Sequence, residues 1–256
     1  MFAFERHDSI IDLLNKKKQV TVLELSQLLN VSVSTIRNDL TKLENNGFLT
    51  KTHGGAILQK DDEKYIAFTD RITKNTKEKE SIANKALSLI SNGQCIILDA
   101  SSTSLFLAKR LHSFNKLTVI TNGLYTTLEL KDNPNINVIL IGGLVTTNSY
   151  SIEGLLGENL MKNIHADLCF TSAKGFTIKE GLTDFNIYEA ELKKILTKRS
   201  NKLVALLDHS KLNTISIASF ATASDINTLI TDENIPQELI NQYKSANINI
   251  EIASLK

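Results

Sequence analysis

The fold of the amino-terminal region is decided by one stretch, Val31-Ser32-Val33-Ser34-Thr35-Ile36-Arg37-Asn38-Asp39-Leu40. Its apolar side chains, continued by Leu43, recur at the spacing of one helix face. Ser32 can cap this helix, and Asn46-Gly47 can end it, since glycine suits the left-handed position after a helix. The stretch therefore predicts a helix with one buried face and one exposed face.

The exposed face of this helix is rich in groups that can bond DNA. Hydroxyl, amide and cationic side chains hydrogen-bond base edges and phosphates, and an α-helix fits the major groove. The residues of this face and its flanks are Ser34, Thr35, Arg37, Asn38, Lys42 and Asn45. On periodicity alone a generic three-helix bundle with a solvated polar face stays open. The short turn at Asn30-Val31 favours a helix-turn-helix.

The flanking sequence supplies the other elements of such a domain. A first helix is predicted to end in the cations of residues 16–18, and Thr21 and Glu24 form a capping box for a short second helix. The predicted buried face of that second helix is Leu25, Leu28 and Leu29. Residues 48–51 and 53–57 predict two short strands around a turn, a β-wing that would place Lys51 and His53 near the phosphate backbone.

These motifs resemble the signature of the DeoR family of repressors, V-S-x-x-T-[IV]-R-R-D-L, then L-E, then R-x-H-G-G-A. The corresponding segments here are Val31–Leu40, Leu43-Glu44 and His53-Gly54-Gly55-Ala56. The resemblance implies a winged helix-turn-helix over residues 1–59 that binds operator DNA. The implied DNA-binding residues are Ser32, Ser34, Thr35, Arg37, Asn38, Lys42, Lys51 and His53.

Two positions depart from the family pattern. Asn38 replaces the usual second arginine, and Lys51 replaces the wing arginine. Asparagine can pair with adenine through two hydrogen bonds, whereas arginine prefers guanine or phosphate. We therefore expect an altered operator preference at one base step.

Composition constrains the class of protein less sharply. The 256 residues carry a net charge of +1 and are 42% hydrophobic, as in ordinary globular proteins. Cys95 and Cys169 stand in apolar runs without metal-ligand spacing, so we expect reduced, buried thiols and no metal or cofactor. The start lacks the apolar core of a signal peptide, and no stretch approaches the ~20 apolar residues of a spanning helix, so we expect a cytoplasmic protein without membrane contact.

The rest of the chain divides into a polar linker, residues 60–79, and a larger domain, residues 80–256. In that domain apolar runs alternate with helical patterns, which predicts a mainly parallel sheet covered on both faces, an α/β fold. The predicted strands are Cys95–Leu98, Leu117–Ile120, Ile136–Ile141, Ala166–Phe170 and Leu203–Leu207. Further runs at 215–220, 226–230 and 248–252 predict edge or terminal strands.

Small and polar residues follow each of the five predicted strands. These clusters are residues 99–103, 121–123, 142–143, 171–175 and 208–211. Ligands of parallel sheets bind beyond the carboxyl ends of the strands. Hydroxyl and backbone N–H groups at Ser101-Ser102-Thr103 could bind an anion, which Lys174 and Lys211 could neutralise. The sequence therefore predicts a small-anion site at this edge.

This larger domain also resembles the DeoR sensor domain, which is similar in fold to ribose-phosphate isomerases, glucosamine-phosphate deaminases and CoA transferases. Family members typically sense phosphorylated sugars, so the resemblance implies such an effector. The expected effector-binding residues are Arg71, Lys79, Asp99, Ser101, Ser102, Thr103, Thr121, Asn122, Gly142, Gly143, Lys174, Asp208 and Lys211. Ser101, Thr146 and Lys174 depart from the family pattern, which predicts an effector specificity of its own.

Two other classes of function remain to be separated from a sensor. A sugar-phosphate isomerase or deaminase would draw on Asp99, Asp208, Glu153 or His165 for acid–base work, although their spacing shows no tight constellation. An architectural DNA-binding protein would use the second domain only to assemble and would bind no ligand. The family resemblance favours a repressor, and we expect it to assemble as a homo-oligomer (dimer or tetramer). A phosphorylated sugar would release this repressor from its operator.

Overall fold

The protein forms two compact units, Met1–Tyr65 and Ile66–Lys256. A computed structural model describes residues 3–17, 19–45, 49–58, 68–145 and 150–255.

The first unit contains three helices and three short strands within its described residues. They are α1 (Ala3–Lys17), β1 (Gln19–Thr21), α2 (Val22–Leu29), α3 (Val33–Asn45), β2 (Leu49–Thr52) and β3 (Gly55–Leu58). The strands form an antiparallel sheet in the order β1-β3-β2. Ile10, Leu25, Ile36 and Leu40 are buried where the helices meet this sheet. The predicted winged helix-turn-helix is confirmed, with β1 added as a strand that the sequence analysis missed.

Helix α2 differs from its prediction in two details. The Thr21 hydroxyl accepts a hydrogen bond from the Glu24 N–H at 3.1 Å, but the Glu24 carboxylate pairs with Lys17 instead of completing the capping box. Leu28, predicted to be buried, is 58% exposed. The buried row of α2 is centred on Val22 and Leu25, and Leu28 falls to one side of that row because a helix turns about 100° per residue.

The second unit begins with two helices, α4 (Phe68–Thr73) and α5 (Thr76–Leu87). The remaining helices are α6 (Ser102–Ala108), α7 (Leu124–Leu130), α8 (Glu158–Lys162), α9 (Ile187–Lys198) and α10 (Gln237–Ser245). The strands are β4 (Cys95–Leu98), β5 (Leu117–Thr121), β6 (Ile136–Leu140), β7 (Leu144–Val145), β8 (Ile152–Glu153), β9 (Ala166–Thr171), β10 (Gly175–Thr177), β11 (Gly181–Asp184), β12 (Ser200–Leu206), β13 (Ala218–Ala221), β14 (Ile226–Asp232) and β15 (Ile250–Ala253).

Within the described residues, seven strands pair in parallel in the order β15-β14-β12-β9-β4-β5-β6. Alternate side chains of each strand enter two separate apolar cores, one on each face: Ile97 belongs to one core, Ile96 and Leu98 to the other. The predicted parallel α/β fold is confirmed. The chain winds outward from β4 to β6 and then returns to β9 on the other side of β4, so β4 and β9 border the topological switch point.

Two expectations about this unit need correction, and a third gains detail. Residues 68–79, expected to belong to a linker that docks partly on the second domain, form α4 and the start of α5, with Phe68 and Lys79 buried. The run at 215–220 contributes β13 to a small antiparallel sheet with β10 and β11. The run at 226–230 forms β14, which lies inside the main sheet because β15 covers its outer side.

Among the described residues, none of the helices combines the length and the apolar character that crossing a membrane requires.

Candidate functional site

The exposed face of α3 carries the side chains expected to meet DNA. Ser34, Arg37, Asn38 and Lys42 are exposed, and Thr35 is half-buried. This arrangement arises because Ile36, Leu40 and Leu43 turn the opposite face into the core. The surface thus offers hydroxyl, amide and cationic donors along one side of a helix.

The start of α3 is held by the predicted cap. The Ser32 hydroxyl accepts a hydrogen bond from the Thr35 N–H at 3.1 Å and shares short contacts with the hydroxyls of Ser34 (2.7 Å) and Thr35 (2.8 Å). This hydroxyl group satisfies one of the N–H groups that a helix start leaves open. Ser32 therefore orders the first turn of the helix in addition to lying on its exposed side.

The one acidic side chain buried in α3, Asp39, is neutralised by α1. Arg6 donates to its carboxylate from Nε at 2.5 Å and from Nη2 at 3.1 Å, and His7 Nε2 lies 3.0 Å away. Burial alone would raise the pKa of Asp39, but these two partners hold it below its ordinary value. The ion pair fixes α3 against α1 and keeps a negative charge away from the surface expected to face phosphates.

The wing residues occupy different positions from one another. His53 lies exposed in the turn between β2 and β3. Lys51, expected near the phosphate backbone, folds back on α3, where its Nζ donates to the Thr41 hydroxyl at 2.7 Å and its N–H donates to Glu44 at 2.8 Å. The lysine therefore joins the wing to α3 as well as carrying a charge.

In the second unit, the residues expected to bind an effector lie at the carboxyl edge of the main sheet. All except Arg71 and Lys79 lie at or just after the ends of five neighbouring strands, β12, β9, β4, β5 and β6, whereas Arg71 and Lys79 lie on α4 and α5. The expected residues fall into three groups: a buried carboxylate network, a cluster of cations, and the loops that follow β5 and β6. Thr146 lies outside the described residues.

The first group centres on Asp99, at the switch point. Its carboxylate accepts hydrogen bonds from the Ser101 N–H (3.1 Å) in the loop after β4 and from the Ser104 hydroxyl (2.6 Å) in α6. It also accepts from the Thr171 hydroxyl (2.7 Å) at the end of β9 and from the Ser172 N–H (2.9 Å) just after it. Asp99 is buried and saturated with donors, so it ties the two loops together instead of presenting an oxygen to a ligand.

Ser101, which stands where the family usually has glycine, serves as a helix cap. Its hydroxyl accepts a hydrogen bond from the Ser104 N–H at 3.1 Å and donates to the Ser104 hydroxyl at 3.0 Å. Ser102 and Thr103 follow in the first turn of α6, and both are buried. The departure from glycine therefore adds a capping interaction to this loop.

A lysine that the sequence analysis missed lies beneath this loop. Lys193 is buried, and its Nζ lies 2.7 Å from Asp184, 3.3 Å from Asp99 and 3.4 Å from Glu189, and donates to the Ser172 carbonyl at 3.0 Å. Burial would lower the pKa of Lys193, but the three carboxylates hold it well above its ordinary value.

The pKa values of two carboxyl groups around Lys193 shift in opposite directions. Burial would raise the pKa of Asp99, but Lys193 and the serine donors hold it below its ordinary value. Burial raises the pKa of Glu189, and the negative charges of Asp184 and Asp99 raise it further, whereas Lys193 opposes the shift. A signal for this cluster was present in the sequence, because Glu189 and Lys193 occupy the same face of α9 as apolar Leu196.

The second group is a cluster of cations. Lys79 and Lys211 each feel the positive charges of Arg71 and Lys74, and Lys211 also feels Lys174. Burial is the main cause that lowers the pKa of both lysines, to about 8 for Lys79. The carboxylate of Asp208 opposes these shifts, but it is shared among several cations and is also bonded by Asn75 (3.0 Å) and the Ser210 N–H (3.1 Å).

Within this cluster, Lys79 and Arg71 have distinct settings. Lys79 Nζ donates to the backbone carbonyls of Arg71 and Lys74, so it holds the end of α4 in place. The Arg71 guanidinium lies 5.3 Å from the Phe68 ring centroid and 6.0 Å from that of Phe185. Its Nε is buried and, among the described residues, has no hydrogen-bond partner. A buried donor of this kind is costly unless a ligand or water accepts its hydrogen bond.

The third group lies in the loops at the ends of β5 and β6. The Thr121 hydroxyl accepts from the Gly123 N–H at 3.0 Å, and Asn122 Nδ2 donates to the Ile152 carbonyl at 3.0 Å. Gly142 and Gly143 follow β6, and a Cβ at Gly143 would lie 2.6 Å from the Glu153 carbonyl. The glycine is therefore required for the close approach of β8.

Comparison with known proteins gives a family match for each of the two units. Residues 6–62 match the DeoR-like helix-turn-helix domain, and residues 74–233 match the DeoR C terminal sensor domain. The chain belongs to the DeoR family. Like the other members, it is a DNA-binding transcriptional regulator.

Two relatives and one solved structure are similar to this DeoR-family chain. The HTH-type transcriptional regulator GolR of Listeria innocua is 61% identical over 99% of this chain and 100% of its own length. The L-fucose operon activator of Haemophilus influenzae is 33% identical over 91% of this chain and 94% of its own. A ribose 5-phosphate isomerase of Methanocaldococcus jannaschii matches 54% of this chain and 55% of its own, with a TM-score of 0.41 and 18% identity.

Proposed function

We propose that this DeoR-family regulator represses a sugar-catabolism operon and releases its operator when a phosphorylated sugar binds at the carboxyl edge of the main sheet. The observation that carries the proposal is the cation cluster of Arg71, Lys74, Lys79, Lys174 and Lys211. Burial and the surrounding positive charges lower the pKa of Lys79 and Lys211, so the cluster is a site whose electrostatic energy an anion would relieve.

A phosphate group fits this cluster better than a carboxylate. A phosphate monoester carries a charge of about −1.5 to −2 at neutral pH and three strong acceptor oxygens, which matches several converging cations. The buried Nε–H of Arg71 is a donor that such an oxygen could accept. Lys174 stands where the family commonly has an acid, so this chain places one more positive charge at the site.

The remaining expected residues would position the sugar and the loops around it. Asp99, Ser101 and Thr121 order the strand ends from below, since their side chains are engaged with neighbouring loops. Asn122 is fully buried and, within the described part of the chain, its Oδ1 accepts no hydrogen bond. A sugar hydroxyl is a donor that would satisfy this oxygen.

A thermal-shift screen tests the effector class directly. At a sugar phosphate concentration about 100 times its Kd, binding contributes about 2.7 kcal/mol. For a domain of this size we expect a rise in Tm of about 5–10 °C. Lys211→Met should remove most of the shift, because it deletes one cation of the cluster. Lys202→Met is the matched control, since Lys202 lies exposed near the other end of β12.

Three outcomes would contradict the proposal. A shift with free sugars equal to that with sugar phosphates would remove the phosphate from the recognition. A full shift in Lys211→Met would place the ligand elsewhere. Stability unchanged across the whole panel would favour the architectural class, whose second unit only assembles.

Effector affinity is expected to fall as the pH rises from 7 to 9. Burial lowers the pKa of Lys79 to about 8 in the ligand-free protein. The positive charges of Lys211 and Arg71 contribute to this shift, and Asp208 opposes it. A bound phosphate dianion would raise that pKa again, so binding takes up a proton. The affinity should therefore fall by at most about tenfold for each pH unit above 8. The phosphate itself stays dianionic over this range, because its second pKa is about 6.

Isothermal titration calorimetry at pH 7, 8 and 9 measures this dependence, and buffers of different ionisation enthalpy count the protons taken up. Lys79→Arg keeps its charge throughout the range and should flatten the profile. An affinity that stays constant or rises in the unchanged protein would show that the anion does not interact with Lys79.

The sign of regulation requires a separate measurement. The family pattern favours repression, whereas the H. influenzae relative is named an activator. In a purified transcription assay we expect the protein alone to reduce transcription from its operator, and the effector to restore it. Increased transcription with the protein alone would reverse the sign without affecting DNA binding.

One observation favours an isomerase or deaminase activity as the second candidate. His209 Nδ1 lies 2.9 Å from buried Asp232, an oriented acid–base pair after β12 and β14. The earlier candidates are weaker: Asp99 is saturated, and His165 precedes β9, at the opposite edge of the sheet, bonded to Asn201 at 2.6 Å. Turnover of a sugar phosphate that His209→Asn abolishes would establish the enzyme, and we expect none.

A further inference from the structure

The second unit exposes a group of large apolar side chains beside the sheet edge formed by β6. Six of them are between 48% and 75% exposed. They are Leu144, Val145, Leu155, Leu156, Ile187 and Tyr188. We refer to these six side chains as the β7–α9 patch. Single exposed apolar residues are common, but a group of this size marks an interaction surface.

The elements that carry the β7–α9 patch are connected to one another. Strand β7 pairs with β8 in antiparallel register, with Leu144 opposite Glu153. Asn186, which caps α9, donates from Nδ2 to the Glu153 carboxylate at 2.8 Å. Both α8 and β8 pack on α9. The hairpin, the turn at Leu155-Leu156 and the start of α9 therefore lie together around Glu153.

We propose that the β7–α9 patch is the contact between two copies of this chain. The exposed area of its six residues is roughly 700 Å², close to the ~800 Å² that each partner of a stable interface contributes. Burying it would remove from water an apolar surface that folding of the single chain leaves open.

The charge of the patch fits a second copy better than a partner of different chemistry. A two-fold contact places the same residues of both copies opposite each other, so an unbalanced charge would meet its like. The six side chains are uncharged, and the neighbouring Glu158 and Lys162 of α8 pair with each other at 3.6 Å. A helix-turn-helix also reads paired half-sites as a dimer, and this chain carries one recognition helix.

Sedimentation equilibrium on the full chain tests the contact. We expect the unchanged protein to be at least dimeric at micromolar concentration. Leu156→Asp should raise the dissociation constant at least ~100-fold, because a two-fold contact would bury two facing carboxylates. Leu23→Asp is the matched control, since Leu23 is 67% exposed on α2 of the first unit. It should leave assembly unchanged.

A second variant locates the contact without disrupting it. Leu156→Cys should form a covalent dimer with a short bis-maleimide, whereas Leu23→Cys and the unchanged chain, which carries Cys95 and Cys169, should not. A monomeric unchanged protein at 100 µM (about a hundredfold above the expected range) would overturn the proposal. So would assembly undiminished by both Leu156→Asp and Tyr188→Asp, or cross-linking at residue 23 but not at 156.

Discussion

Replacing Lys193 with methionine is expected to destabilise the second unit by about 3–5 kcal/mol, the cost of removing one partner from a buried ion pair. The substitution would leave Asp99, Asp184 and Glu189 buried without their cation. It would also remove the donor to the Ser172 carbonyl. Because a typical domain is stable by about 5–15 kcal/mol, the change would consume a large part of the total.

Tyrosine fluorescence during urea unfolding measures this loss specifically. The chain has no tryptophan, and four of its five tyrosines lie in the second unit, so the signal reports mainly that unit. Lys194→Met is the matched control, because Lys194 is exposed at the next position of α9. It should change the free energy of unfolding by less than about 0.5 kcal/mol. A loss below about 1 kcal/mol in Lys193→Met would contradict a neutralising role for this lysine.

A double substitution separates charge from packing. In Lys193→Met, adding Glu189→Gln removes one of the three carboxyl groups that the variant leaves uncompensated, so we expect part of the stability to return. Burial raises the pKa of Glu189, so the folded protein holds its proton more readily than the unfolded chain does. The penalty in the single variant should accordingly shrink as the pH falls and its buried carboxylates become protonated.

Asn38→Ala is expected to relax operator specificity at one base pair by about 1–3 kcal/mol, or about 5- to 150-fold in discrimination. Asn38 lies exposed on the side of α3 that is expected to face DNA, and an asparagine amide can bond the N6 and N7 atoms of adenine together. The alanine keeps the helix and removes this readout, so binding to sequences that differ only at that pair should converge.

Binding measured on operators varied one base pair at a time tests this assignment. Lys42→Ala is the contrasting variant: we expect weaker binding to every sequence and a shallower dependence of affinity on salt, because a phosphate contact releases counterions. If Asn38→Ala retains the full operator preference, the recognition surface of α3 is centred on other residues.

The winged helix could be read from the sequence almost completely, because its determinants are local. Caps such as Ser32 and the apolar row through Ile36 and Leu40 set the helix bounds over a few neighbouring residues. Five strands of the main sheet, β4, β5, β6, β9 and β12, were likewise visible as apolar runs. Their order in the sheet was not, because pairing such as that of β4 with β9 joins residues more than 70 positions apart.

The sequence was least informative where a residue's environment is supplied from a distance. Lys51, expected near the phosphate backbone, also bonds Thr41 and Glu44 of α3, which its position in the wing did not indicate. Residues 68–79 looked like a linker because they are polar, yet Phe68 and Lys79 are buried once the rest of the unit is in place. Polarity predicts exposure only when no distant partner satisfies the polar group.

The sequence by itself determined the fold class through short-range periodicity and capping, and the class of protein through the resemblance of its motifs to the DeoR signature. Only the tertiary structure decided which polar side chains are already engaged and which remain available to bind. Asp99 became a saturated structural group, whereas Lys74, placed in a linker by the sequence, joined Arg71 and Lys211 in the cation cluster. The physical reason is that hydrogen bonding and charge neutralisation act between residues brought together by folding, and these determine whether a side chain remains available to bind.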